Sequence, residues 1–198
     1  MKKLVVVCCL FLTACTTLKT SSEYITRGNG YLKDGKKQEA IGSFNKAVVL
    51  NSSNLDAYES RGAAYFLNGQ YDLAAADFER VLNADPYRIS VYTAYASVLA
   101  SKGDFNNALQ VLDLVDKLGA ARAETYFARA GVHYMLGQYD LAVADYTRVL
   151  QERVSADVLN ARANAYAAWG KNELAQRDYE QAKTAPIPQH LNAYAELR

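Results

Sequence analysis

Gly35, Gly69, Gly103, Gly137 and Gly170 fall 34, 34, 34 and 33 residues apart, so one structural unit recurs along most of the chain. Units of this length bury their apolar faces only by stacking on their neighbours, and the spacing therefore specifies a solenoid. The residues around each glycine recur with it. Five residues on stands an alanine (Ala40, Ala74, Ala108, Ala142, Ala175), and nine on a large apolar side chain (Phe44, Phe78, Leu112, Tyr146, Tyr179). Eleven residues before each glycine comes Tyr24, Tyr58, Tyr92, Tyr126 or Leu159, and the segments 69–74 and 137–142 are identical.

Apolar residues recur at three- and four-residue intervals on both sides of each glycine, as at Tyr58, Tyr65 and Phe66 before Gly69 and at Leu73, Phe78 and Leu82 after it. That is a helical period. Each unit is thus two short amphipathic helices, with the glycine in the turn between them and Asp72, Asn106 or Asp140 placed to start the second helix. With these Tyr, Gly, Ala and Phe columns, residues 22–185 resemble the tetratricopeptide-repeat family. The resemblance implies an all-α, right-handed superhelical solenoid of five helix-hairpin repeats. Pro186 and Pro188 break the last repeat, and residues 186–198 read as a C-terminal capping helix with Leu191, Tyr194, Ala195 and Leu197 on its apolar side.

The first fourteen residues have a different character. Lys2 and Lys3 precede the apolar run Leu4 to Leu12, which is too short to span a bilayer and reads as a secretory signal. Leu12, Thr13, Ala14 and Cys15 resemble the bacterial lipobox, which implies cleavage after Ala14 and acylation of Cys15. At about 0.8 kcal/mol per buried methylene, several acyl chains anchor stably where one is marginal. Thr16 follows the cysteine where an aspartate would favour the inner membrane, so the expected location is the outer membrane, facing the periplasm. Residues 15–21 form a short tether; Thr16 to Ser21 reach about 20 Å when extended. Cys8 and Cys9 leave with the signal, so the processed chain has no thiol for a disulfide, a thiolate metal site or nucleophilic catalysis.

Charge excludes further classes. Lys and Arg total 22 against 21 Asp and Glu, and removal of Lys2 and Lys3 leaves the balance at −1. That is no electrostatic footprint for nucleic acid. Two isolated histidines, His133 and His190, and the absence of a Gly-rich phosphate loop leave nothing from which to assemble an enzyme, and no cofactor is expected.

Two further columns are internal to the repeat. Eight residues before the glycine stand Arg27, Arg61, Arg129 and Arg162; eight after it stand Asp77, Asp145 and Asp178. The third repeat breaks both at once, with Tyr95 and Val111 in those places. Paired loss predicts an Arg–Asp bridge inside repeats two, four and five, and leaves Arg27, opposite Ser43, to find another partner.

In the family the first helix of each repeat lines the concave face, and its groove positions here include Asn29, Glu59, Phe66, Phe127, Tyr134, Asn160 and Asn164 as the expected partner-binding set. The aromatics would anchor an extended or helical peptide segment and the asparagine amides would meet its backbone. Phe66 and Phe127 have packing between neighbouring repeats as an alternative role. Lys33 is the only base at these positions, against Asp56, Glu59, Glu124 and Asp157, which argues against capture of a carboxylate terminus and for a basic or neutral partner. The implied function is a non-catalytic protein-interaction scaffold, similar to outer-membrane lipoproteins that act as pilotin-like assembly factors for pili and secretins. The alternatives are an adaptor for peptidoglycan hydrolases or a periplasmic protease, and a homodimeric structural bridge.

Overall fold

The computed structural model describes residues 20–185, and every regular element in that range is helical. The signal peptide expected at 1–14, Cys15 and the C-terminal capping helix expected at 186–198 lie outside the described residues. Ten helices follow in order: α1 (Ser21–Lys33), α2 (Lys37–Leu50), α3 (Leu55–Leu67), α4 (Tyr71–Ala84), α5 (Ile89–Ser101), α6 (Phe105–Lys117), α7 (Ala123–Met135), α8 (Tyr139–Glu152), α9 (Ala156–Ala168) and α10 (Asn172–Thr184). They pair as five hairpins, α1–α2 to α9–α10, each stacked on the next. α1 starts at Ser21, inside the stretch read as tether, because Thr20 and Glu23 close a reciprocal capping box there.

Each hairpin turn is built the same way. The five column glycines have φ between 72° and 81°. In the first turn the Gly35 N–H donates to Leu32 O and the Lys36 N–H to Tyr31 O, which satisfies two end carbonyls of α1. The second helix then begins at once. α4 and α8 start at Tyr71 and Tyr139, with Gln70 and Gln138 at the cap and no side-chain cap bond. Asp72 and Asp140 therefore sit in the first turn, where they complement the helix dipole, and are not the caps expected from the sequence. In the third repeat it is Asp104, not Asn106, that caps, accepting from the Asn107 N–H.

The repeat columns form the core. Ala40, Ala74, Ala108 and Ala142 are fully buried, as are Phe44 and Leu112, with Phe78 at 1% exposure. Opposite each large side chain, the first helix carries a small residue sized to it. A Cβ on Gly28 would stand 2.4 Å from the Phe44 ring and one on Gly62 2.9 Å from Phe78. Across from the smaller Leu112 the third repeat has room for Ala96, which is also fully buried.

The Arg–Asp bridges are present and extend further than the sequence columns show. Arg61 donates from Nε and Nη2 to both carboxylate oxygens of Asp77 at 2.8 and 2.7 Å, and from Nη1 to Asn45 of the preceding repeat at 2.9 Å. Arg129 holds Asp145 in the same bidentate way and reaches back to Asp113 and Asp116. Arg162 binds Asp178 and reaches back to Thr147. Each arginine thus ties three consecutive helices, and hydrogen bonding to its carboxylate raises the pKa of all three guanidiniums. Burial opposes the charge on Asp116, yet the bonds from Arg129 and Tyr126 hold its pKa below the usual carboxylate value. Arg27 finds the Tyr31 hydroxyl, at 2.9 Å from Nη2.

In the third repeat the Tyr95 hydroxyl donates to Glu79 of α4 at 2.6 Å, which keeps the backward tie. Val111 offers nothing across the hairpin, and an open depression of about 760 Å³ lies beside Tyr95, Val111 and Leu114. α5 and α6 make the least extensive contact of the five hairpins, and α6 and α7 the least extensive of the junctions between repeats. That last junction also turns differently, through Gly119 at φ 66°.

Candidate functional site

Curvature of the stack identifies the inner face. α1 meets α3, α3 meets α5 and α5 meets α7, whereas no even-numbered helix makes a comparable contact with the next even-numbered one. α1, α3, α5 and α7 are therefore crowded together on the inside of the bend, while α7 and α9 make no contact of that extent. The groove positions read from the sequence lie on these helices and on α9.

The structure sorts those positions by what already holds them. Glu59 is not free: Arg88, at the cap of α5, donates to Glu59 at 3.0 Å and to Asp56 at 2.6 Å while its Nε binds Asp85 at 3.1 Å. These bonds raise the Arg88 pKa, and they occupy both acidic groove positions of repeat two, although one guanidinium shared with Asp85 as well offsets only part of their charge. Glu124 and Asp157, in contrast, are exposed and have no ion-pair partner among the described residues. The groove carboxylates that no cation already holds lie in repeats four and five.

The aromatics divide as well. Phe66 is half-buried, packs on the core of repeat two and lies 5.8 Å from the Tyr71 ring. Tyr134 is half-buried against the core of repeat four, 5.6 Å from Tyr139. Both rings are therefore packing residues that show an edge to the groove. Phe127 remains 36% exposed while its ring meets Tyr146 edge-on at 5.5 Å. Met135, about two turns further along α7, is 64% exposed. Asn29, Asn160 and Asn164 are exposed, but Asn164 already accepts from the Tyr179 hydroxyl at 2.6 Å. His133 is a satisfied residue, donating from Nδ1 to Gln138 at 2.7 Å.

In the middle of the groove α5 presents hydroxyls. Ser97 and Ser101 return their protons to carbonyls one turn back, and the Thr93 and Thr125 hydroxyls meet at 3.3 Å. This stretch is neutral and small, between the Arg88 cluster on one side and the Phe127 region on the other.

Three features of this face are not evident from the sequence positions alone. Arg88 stands two residues outside the template of groove positions, and only folding brings it over α3. Gly131 is a groove glycine with no bulky ring opposite that requires it, since a Cβ there would meet only the Tyr146 hydroxyl at 4.0 Å. Tyr146 reads as a core residue and is one, at 6% exposure, but its oxygen comes within 4.0 Å of where a Gly131 Cβ would stand. For Gly131 there is a signal in the chain: it sits in a column otherwise filled by Asn29, Ala63, Ser97 and Asn164.

Among the described residues no helix is long and apolar enough to cross a membrane, and no cluster of three or more His, Cys, Asp and Glu is placed to hold a metal.

Comparison with known proteins agrees with this architecture. Family models of the tetratricopeptide repeat match residues 25–89 and 156–185. No curated protein matches the sequence. Among solved structures, the chain is similar to a thermophilic tetratricopeptide-repeat protein of Thermus thermophilus, with TM-score 0.74 and 19% identity over 90% of this chain and 98% of that one. A tetratricopeptide-repeat protein of Parabacteroides merdae gives TM-score 0.75 at 22% identity, covering 90% of this chain and 69% of that one. MamA of Desulfovibrio magneticus gives 0.70 at 16% identity, covering 82% and 93%. At these identities the likeness is one of fold. Residues 25–89 and 156–185 are thus tetratricopeptide repeats, and the hairpins between them, closed by the same glycine turns, continue the same fold.

Proposed function

We propose that this protein is a non-catalytic scaffold that holds a segment of a partner protein on its odd-helix face, carried at the outer membrane by lipid on Cys15. The observation that carries the binding reading is the exposure of Phe127 and Met135 on the inner face of α7, apolar surface that the fold itself does not cover. Surface of this kind within a curved helical groove is what helix and extended-peptide ligands use. The lipid reading is supported by the Leu12 to Cys15 motif after a basic and apolar leader. Together they favour an assembly factor for an envelope complex such as a pilus or secretin, with the lipid supplying place and the groove supplying grip.

Crosslinked capture from native envelopes tests this, comparing wild type with Phe127→Ala combined with Asn160→Ala. Asn160 is exposed and Phe127 partly so, and circular dichroism of the variant should remain helical; loss of helicity would put the Phe127 ring in the core with Tyr146. Loss of pilus or secretin subunits from the variant supports the assembly role. Hydrolases or a protease in their place move the reading to a cell-wall adaptor. Cys15→Ser should leave the envelope fraction, and its retention there would overturn lipid anchoring.

A further inference from the structure

Gly131 weakens the α7 helix relative to alanine, and nothing in the fold asks for it. Gly28 and Gly62 make room for Phe44 and Phe78, and the turn glycines need positive φ; Gly131 does neither. It lies between Phe127 and Tyr134, four residues after the one and three before the other, so the three share one helix face. The missing side chain leaves a notch between two aromatic rings.

The floor of that notch is polar. Tyr146 is 6% exposed, and its hydroxyl has no hydrogen-bond partner among the described residues. No fully buried side-chain oxygen or nitrogen in that range lacks a partner, so this hydroxyl is not fully shut off from solvent. It stands 4.0 Å from where a Gly131 Cβ would be. Burial pushes its pKa up to about 12, so it is a proton donor at neutral pH. On the rim, Glu124 is one turn before Phe127 and Asp157 opens the adjacent α9, both exposed and without an ion-pair partner among the described residues.

We infer that this notch is the specificity site of the groove, and that it takes a protein segment with a large apolar side chain next to a lysine or arginine. The apolar side chain lies between Phe127 and Tyr134, and the segment's backbone comes close enough over Gly131 for a carbonyl to accept from the Tyr146 hydroxyl. The basic side chain meets Glu124 and Asp157. An incoming basic side chain finds both carboxylates open here, whereas in repeat two it would have to compete with Arg88, which already donates to Asp56 and Glu59. The inference rests on the odd-helix face being the binding face.

Random linear peptides of about twelve residues, displayed on phage and selected against the full chain, test it. The enriched sequences should pair Leu, Met, Phe or Trp with Lys or Arg, and synthetic copies labelled with a fluorophore then give affinities by anisotropy. Gly131→Leu fills the notch and should weaken binding by about tenfold or more, with melting temperature unchanged or raised. Gly131→Ala, which adds only a Cβ in open contact, and Tyr146→Phe, which removes only the hydroxyl, should each weaken it about three- to tenfold. Glu124→Lys with Asp157→Lys should turn selection towards acidic sequences. Unchanged affinity in Gly131→Leu and Tyr146→Phe overturns the notch. If Asn29→Arg and Ser97→Arg still abolish binding in that case, the groove stands without it; if they too have no effect, the odd-helix face is not the binding face. Absence of any enriched peptide also overturns the proposal.

Discussion

Repeats two and three occupy adjacent places in one stack and solve the same packing problem differently. In repeat two the Phe78 ring lies over Gly62 and Arg61 bridges to Asp77, so the hairpin is held by a large apolar contact and a bidentate ion pair. In repeat three Leu112 lies over Ala96, and Tyr95 and Val111 replace the pair. The volume is conserved and the charge is not. Tyr95 still reaches back to Glu79, as Arg61 reaches back to Asn45, so stacking onto the preceding repeat survives while the hairpin's own clamp is gone. The difference shows that the arginine serves two separable purposes. The backward tie is kept in both; the tie across the hairpin is dispensable once the core pair is right.

The largest expected effect comes from removing a clamp outright. Arg129 is 10% and Asp145 6% exposed, so Arg129→Ala takes the bidentate partner from a buried carboxylate, leaving it only Arg148 at 3.7 Å, and should cost about 3 kcal/mol in urea unfolding. The equivalent change in repeat three has no charge to orphan, and Tyr95→Phe should cost under about 1 kcal/mol. Equal losses would mean that the clamp and the tyrosine tie are equivalent.

Next in size is the core pair. Gly62→Ala drives a Cβ into the Phe78 ring and should destabilise by about 1–3 kcal/mol despite the helix gain of alanine. Adding Phe78→Leu reproduces the Ala96 and Leu112 pair and should recover most of that loss. A double variant no better than the single would mean that local backbone, not side-chain volume, sets the pairing. Gly30→Ala, where a Cβ meets nothing within 4 Å, is the control and should stabilise by about 0.5–1 kcal/mol.

Smaller again is the attempt to give repeat three the clamp it lacks. Val111→Asp alone should destabilise by about 1–2 kcal/mol, because a half-buried carboxylate has no partner. Combined with Tyr95→Arg it should recover, with a coupling energy of about 1 kcal/mol in a double-mutant cycle. Additivity of the two changes would show that the open depression holds the pair apart.

The smallest effect is one of pH. Burial, then the bond to Glu79, raises the Tyr95 pKa to about 12. The fold prefers the neutral phenol, so its contribution is complete below the unfolded value near 10 and is lost as pH rises through about 12. The stability difference between wild type and Tyr95→Phe should therefore narrow over that window and stay flat below it.

Much of this molecule is legible in its sequence, for a reason particular to repeats. A lone arginine and a lone aspartate sixteen residues apart say little, but Arg61 and Asp77 recurring as Arg129 and Asp145 and vanishing together at Tyr95 and Val111 amount to an internal comparison. The hairpin turns, the buried alanines and the Phe44 and Phe78 sites are legible on the same ground, because each is set by periodicity and cap geometry within a few residues. The caps are less legible: the turn closes so tightly that the second helix starts before its acidic residue, which shifts Asp72 and Asp140 from the cap into the first turn.

The site is another matter. Periodicity places its residues on the right helices, yet which of them are available depends on neighbours far along the chain. Arg88 covers Glu59 across 29 residues, Tyr179 occupies Asn164 across 15, and Phe66 and Tyr134 turn their rings into cores shared with the partner helix. Tyr146 reads as core and still brings its hydroxyl within 4.0 Å of where a Gly131 Cβ would stand. The sequence by itself determined the hairpins, their number in the described stack and the clamps within them, because those depend on spacing inside one unit. Tertiary structure alone decided where the groove stays acidic and where it is notched, because hydrogen bonds and ring contacts between repeats follow distance in space and not separation along the chain.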